Sequence, residues 1–183
     1  MIIDFRKDEP KLEPVTINGS SVTQTTTYDY LGTTLAKNLT WSDNIQRLAN
    51  KATKRLYHLR KLREFRVSVK TQVLFYESVI QSVLVFGVAV WGGGLTQKDV
   101  KVIRRVVRTA QRIVGAPLSP WEEVYGARLN SLAMKIVQDK HHPLNASLEP
   151  LPSGRRYRQI RFRTNRLKNS MVPKAICALN KNK

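Results

Sequence analysis

The chain has 183 residues, 42% of them hydrophobic, enough for one packed domain, with or without a small appendage, and too apolar for wholesale disorder. Its single cysteine, Cys177, excludes an internal disulfide framework and fits a reducing compartment. The net charge of +19 is one-sided: residues 1–40 hold four Lys/Arg against five Asp/Glu, and residues 41–183 hold 28 against 8. A field of one sign attracts polyanions over long range, and phosphate backbones are the commonest of these.

The opening stretch, MIIDFRKDEPKLEP, has no apolar core of signal-peptide length before its charges begin. The longest apolar run, Val83–Trp91, falls far short of the roughly 20 residues needed to cross a bilayer. The expectation is an intracellular chain, cytoplasmic or nuclear, without a membrane partner. Val15-Thr16-Ile17 and Ser21-Val22 flank Asn18-Gly19, a pair that readily takes the positive φ angles of a tight hairpin turn. A threonine run then leads into Tyr28-Asp29-Tyr30-Leu31-Gly32, where β-branched and aromatic residues favour extended backbone. So small a sheet cannot bury both its faces by itself.

From Trp41 the period changes. Ile45, Leu48, Ala52, Leu56 and Leu59 fall on one face of an amphipathic helix with Ser42 as N-cap, and Arg47, Lys51, Lys54, Arg55, Arg60 and Lys61 occupy the other faces. A second helix is expected from Ser68 through Val73, Tyr76 and Ile80 to Trp91, apolar all round at its end and stopped by Gly92-Gly93-Gly94. A third opens at Thr96, with Asp99 completing a carboxylate capping box, and closes at Gly115 and Pro117. Its apolar stripe is Val100, Ile103, Val107, Ala110 and Val114. A fourth is signalled by Ser119 at N-cap, Pro120 at N1 and Glu122 at N3, with Val124, Leu129, Leu132, Ala133 and Ile136 on its buried side. Pro143, Pro150, Pro152 and Gly154 read as a linker before the Arg-rich run 155–168.

The third helix carries the most interpretable chemistry. Lys101, Arg104, Arg105, Arg108 and Arg112 form a basic stripe about 16 Å long at 1.5 Å per residue, a spacing suited to tracking a phosphate backbone. A face kept only for solubility usually mixes signs, and no acid interleaves here. Arg155, Arg156, Arg158 and Arg161 supply a second strip, with Tyr157 and Phe162 as stacking platforms. A disordered tail or a localisation signal read by a carrier explains that run equally well. His58 reads as a surface residue of a basic helix, and His141-His142 lack the further Cys or His that a zinc site needs. Cys177 reads as packed. There is no His-x-Asp, no GxGxxG and no phosphate-cradling Gly-Lys-Ser/Thr, so no metal or cofactor is expected and no acid–base pair stands out.

Taken in order, a set of short runs is similar to the C-terminal part of the reverse transcriptase of non-LTR (LINE-type) retrotransposons. These are Met1–Lys7, Ile17-Asn18-Gly19, Tyr30-Leu31-Gly32, Leu39-Thr40-Trp41-Ser42, Lys54–Tyr57, Leu59–Leu62, Phe75–Ile80, Phe86–Trp91, Arg108–Gln111, Leu151–Tyr157 and Thr164–Ser170. The resemblance implies that Ile2–Phe5 is a late strand of the polymerase palm. It implies likewise that Tyr30, Leu31 and Gly32 form a primer-grip-like hairpin, and that the helices from Ser42 form a thumb that holds template–primer duplex. By the same resemblance the family's metal-binding carboxylates fall upstream of Met1. No Asp-Asp pair occurs in this chain, and two-metal phosphoryl chemistry needs such carboxylates. The region Lys51–Trp91 is also similar to a short domain family named for the N-terminal part of an AlkB-type dioxygenase with a tRNA methyltransferase. That name would imply oxygenase or methyltransferase activity, for which the sequence offers neither iron ligands nor a nucleotide loop.

The expected fold is mainly α: a small N-terminal β-hairpin, a helical thumb-like core and a basic C-terminal arm, divided as 1–40, 41–139 and 140–183. The expected function is non-catalytic binding of RNA, DNA or an RNA–DNA hybrid through the phosphate backbone, with slight sequence preference. The alternative of a different class is a decayed element product that binds nothing specifically.

Overall fold

Two short hairpins precede a helical body in the structure, a computed structural model that describes residues 1–3 and 13–181. Of the expected palm strand Ile2–Phe5, Ile2 and Ile3 are in no strand, and Asp4 and Phe5 lie outside the described residues. β1 (Thr16–Ile17) pairs antiparallel with β2 (Ser20–Ser21) across Asn18-Gly19, both of which have positive φ as the sequence requires. β3 (Thr27–Tyr30) pairs antiparallel with β4 (Thr33–Ala36), with Tyr30 opposite Thr33. Only β4 turns residues inward. Its Thr34 N–H donates to Oδ1 of buried Asn44 at 3.1 Å, which ties the second hairpin to the first helix.

Among the described residues the chain forms seven helices. α1 (Ser42–Glu64) buries Ile45, Leu48, Ala49, Ala52, Leu56 and Leu59. α2 spans Val69–Leu84, with a π-helical segment at Tyr76–Gln81. α3 (Val88–Trp91) runs into a 3-10 turn at Gly92–Gly94, and α4 (Gln97–Val114) packs its apolar stripe most extensively against α1. α5 (Trp121–Gln138), α6 (Asn165–Lys168) and α7 (Met171–Lys181) complete the fold. The chain is therefore mainly helical with small N-terminal hairpins, as expected. No single described helix is long and apolar enough to cross a membrane. Val69–Leu84 and Val88–Gly94 reach that length only together and are bent by 51°, and their Tyr76, Ile80, Leu84, Val88 and Trp91 are buried in the core.

Several local expectations need correction. Ser42 is the first residue of α1; Trp41 holds the cap position and no side chain caps the helix. The second helix does not continue to Trp91, because Gly87 takes φ +65°, a left-handed conformation that glycine enters without strain, and the chain turns there. That break leaves Phe86 and Val90 exposed on a segment expected to be apolar and buried throughout. Pro120, with extended backbone, caps α5 in place of Ser119. The Gly92–Gly94 triplet does more than stop a helix. A Cβ on Gly92 would strike the Tyr125 ring, and one on Gly93 would collide with the Asn169 carbonyl oxygen, so the triplet lets α5 and the C-terminal segment close on the core.

Parts of the expected linker and C-terminal arm enter a core as well, while 152–156 and 158–168 stay exposed. A second core cluster joins Leu129, Ala133 and Ile136 of α5 to Leu148, Tyr157 and Ala175, Ile176 and Leu179 of α7. Asn180 clamps Tyr157 from both sides, accepting from its N–H at 2.8 Å and donating to its carbonyl at 3.1 Å. Cys177 is exposed rather than packed, with Gln159 Nε2 donating to its Sγ at 3.8 Å.

Tyr76 is 1% exposed, and its phenol is pushed up to about 12, chiefly by burial and further by the charge of Glu77. The folded value lies above the unfolded value of about 10, so this contribution is whole below pH 10 and is lost as pH rises from there toward 12. At full ionisation it amounts to roughly 2–3 kcal/mol. Alkaline unfolding followed by circular dichroism is expected to set in above pH 10 and to be blunted in Tyr76→Phe. An identical pH profile for that variant would contradict the assignment.

Candidate nucleic-acid interface

α4 owes its orientation to its two ends. Thr96 Oγ1 accepts from the Asp99 N–H at 3.2 Å while Asp99 Oδ2 accepts from the Thr96 N–H at 3.0 Å, the reciprocal capping box read from the sequence. At the other end Gly115 takes φ +73° and its N–H bonds back to Gln111 O at 2.9 Å. Between these ends Ile103, Val106, Val107, Ala110 and Val114 are buried, with Val106 an addition to the expected stripe and Val100 only half-buried. Lys101, Arg104, Arg105, Arg108 and Arg112 are accordingly all exposed, held on one side of a rigid element by the packing of its other side.

The five cations are not equivalent. Arg104 donates to Glu122 Oε1 of α5 through Nε at 2.9 Å and Nη2 at 2.5 Å, a forked pair that the sequence pattern did not disclose. Burial pushes the Glu122 carboxyl up, but the backbone hydrogen bond, the Arg104 hydrogen bond and the Arg104 charge outweigh it and hold the carboxyl below its usual value. Glu122 thus stays ionised and neutralises one position of the stripe. Lys101, Arg105, Arg108 and Arg112 form no ion pair among the described residues.

In the C-terminal strip Arg155, Arg156, Arg158 and Arg161 are exposed, and Arg158 lies 3.6 Å from Glu149. Tyr157 is 8% exposed and holds the second core, so it is not a stacking platform. Phe162 remains 42% exposed, with Lys168 Nζ 5.8 Å from its ring centroid.

Tyr30, Leu31 and Gly32 close the β3–β4 hairpin, Leu31 and Gly32 both with positive φ. The structure places them beside residues that were not grouped from the sequence. Gly32, Arg47, Lys51, Arg55, Ser82 and Phe86 line a groove of about 390 Å³ between the hairpin turn, α1 and α2. Arg47 donates to the Gly32 carbonyl and Arg55 to the Val79 carbonyl of the π-helical segment, so two of the three cations also brace the fold. The i, i+4, i+8 spacing of Arg47, Lys51 and Arg55 was the available signal for this row. Nothing in the sequence announced that Phe86, 52% exposed, would stand opposite it.

The arrangement offers exposed cations, exposed aromatic surface and small concavities. Among the described residues no group of three or more His, Cys, Asp or Glu is placed to hold a metal ion. A family model described as alkylated DNA repair protein alkB homolog 8, N-terminal, matches residues 41–82, which cover α1 and most of α2. The match overlaps the AlkB-type region recognised in the sequence, spans less than a quarter of the chain, and leaves out α4, the hairpins and the Arg-rich strip. No curated protein and no solved structure matches the chain.

Proposed function

We propose that this chain binds RNA or an RNA–DNA duplex without catalysing a reaction, through phosphate contacts made by Lys101, Arg105, Arg108 and Arg112. The observation that carries the reading is their disposition: four cations without an acidic partner among the described residues, on the outer face of a helix whose inner face is locked in the core. A flexible tail would lose much of its charge advantage to ordering entropy; a helix already fixed in place does not. The resemblance to non-LTR reverse transcriptases supports the same reading, since it places these helices in a duplex-holding thumb. Arg155, Arg156 and Arg161 extend the basic surface. Readout is by charge and shape, so sequence preference is slight.

The test is fluorescence anisotropy against labelled single-stranded RNA and RNA–DNA hybrid, with and without heparin, over a salt series. A preference for hybrid that survives heparin supports a shaped interface. Equal and fully competed binding to every polyanion overturns it. It would favour the second reading, a decayed product with bulk charge alone, which the exposed Val15, Ile17, Tyr28, Tyr30 and Leu31 of the hairpins also suit. Glu122→Gln releases Arg104 and is expected to tighten hybrid binding a few-fold, with the salt slope steeper by about one phosphate contact. Unchanged affinity and slope would mean that Arg104 lies outside the contact surface.

A further inference from the structure

The C-terminal end of α4 holds more positive charge in one place than a backbone phosphodiester, with its single negative charge, requires. Arg108 and Arg112 line an open concavity of about 470 Å³ together with Gln111, Gly115 and Ala116, and no carboxylate contributes to its lining. A third guanidinium, that of Arg63 from α1, donates through Nη1 to the Val114 carbonyl at 2.6 Å and lies over Gly115. Arg63 anchors α4 to α1 in this way and brings its charge beside Gly115, one of the lining residues, without itself lining the concavity. Like charges at i and i+4 on a helix repel. In the row Arg104, Arg108, Arg112 that repulsion is relieved at the first position by Glu122, and the structure supplies no counter-charge for the other two among the described residues. The Ala116 N–H beside them has no protein acceptor among the described residues.

We propose that this concavity binds a multiply charged terminal phosphate, either a phosphomonoester or a polyphosphate chain. Arg108 and Arg112 would supply forked donors and Gln111 an amide, with Arg63 contributing charge. The guanidinium fork matches the unesterified oxygens of a terminal phosphate, and two or more negative charges answer the local excess where a diester's single charge does not. The two full guanidinium charges exceed the roughly half unit of negative charge at the C-terminal end of α4, so the net local field still favours an anion. Two sources share this chemistry: the phosphorylated 5′ end of a nucleic acid and a free polyphosphate. The first rests on the duplex-binding reading above, and the second stands without it.

The experiment titrates the full chain with inorganic tripolyphosphate by calorimetry and, separately, with two RNA–DNA hybrids identical except for a 5′-triphosphate or a 5′-hydroxyl on the RNA. Wild type is compared with Arg112→Gln, Arg108→Gln and the control Lys135→Gln, an exposed cation of α5 outside both basic strips. The expected result is tripolyphosphate binding weakened at least about fivefold by Arg112→Gln and Arg108→Gln but not by Lys135→Gln. A 5′-triphosphate preference lost in the same two variants marks the nucleic-acid end as the source. Tripolyphosphate binding with no difference between the hybrids marks a free polyphosphate. Absence of tripolyphosphate binding, or equal weakening by Arg112→Gln and Lys135→Gln, overturns the site whatever the hybrids do. Failure of both hybrids to bind, with the tripolyphosphate pattern intact, overturns the duplex reading and leaves the site standing.

Discussion

Replacing Arg105, Arg108 and Arg112 together by Glu is expected to weaken binding of an RNA–DNA hybrid by about 100-fold or more near physiological salt. The slope of log K against log salt should fall by about 2–3, since each lost phosphate contact removes just under one unit of it. Arg104 is left in place for a physical reason. A carboxylate there would face Glu122, which Arg104 now holds through two hydrogen bonds, and the repulsion would act on folding as well as on binding. The three chosen side chains are exposed and form no ion pair among the described residues, so their reversal should leave the helical signal intact. The exception is a small one. Glu at position 112 opposes the negative end of the α4 dipole and costs roughly 0.3–1 kcal/mol, which a parallel thermal melt will register. Full hybrid affinity in a folded triple variant would remove α4 from the interface.

The stripe was legible because every signal for α4 is local. Thr96 and Asp99 are three residues apart, Gly115 follows the last apolar position, and the two faces separate at a period of 3.6. The first hairpin turn was legible for the same reason, since Asn18-Gly19 carries its own backbone preference. What escaped the sequence depends on partners far along the chain. Glu122 is 18 residues from Arg104, and nothing in either segment marks the pairing. Tyr157 looked like an exposed aromatic among arginines until Asn180, 23 residues on, took both its backbone groups and turned its ring into the second core. Arg47 and Arg55 looked like ordinary surface charge, yet they donate to backbone carbonyls of other elements, Gly32 and Val79, as Arg63 does to Val114. Counting charge therefore located the basic face but overstated how much of it is free. The break at Gly87 escaped because apolar runs give no phase, and a run apolar on all sides reads equally well as one helix or as two.

Trp91→Ala is expected to cost about 3–5 kcal/mol, a large fraction of the 5–15 kcal/mol that holds a typical native fold. Trp91 is 0% exposed, and its Nε1 donates to the Phe86 carbonyl at 2.9 Å, which secures the turn at Gly87. Its ring stacks on Trp121 at 5.7 Å, and Trp121 stacks in turn on Tyr125 at 6.3 Å, both pairs within 11° of parallel. Tyr125 packs against both core clusters, so this ladder joins the α1–α4 core to the unit built on α5 and α7. Removing its first rung leaves a cavity and an unpaired carbonyl, and it also cuts an apolar link between the two clusters. The expected melt is then lower by roughly 10 °C and biphasic, with the α5–α7 unit lost first. Trp91→Phe keeps a ring in the stack but not the indole N–H, and should cost only about 1–3 kcal/mol with a single transition retained. A biphasic Ala variant beside a monophasic Phe variant assigns the coupling to the ring. A single, barely shifted transition in Trp91→Ala would show that the two clusters are held together elsewhere, with Ala89 of α3 against the second cluster and the close approach of Gly93 to the Asn169 carbonyl as contacts to disrupt next.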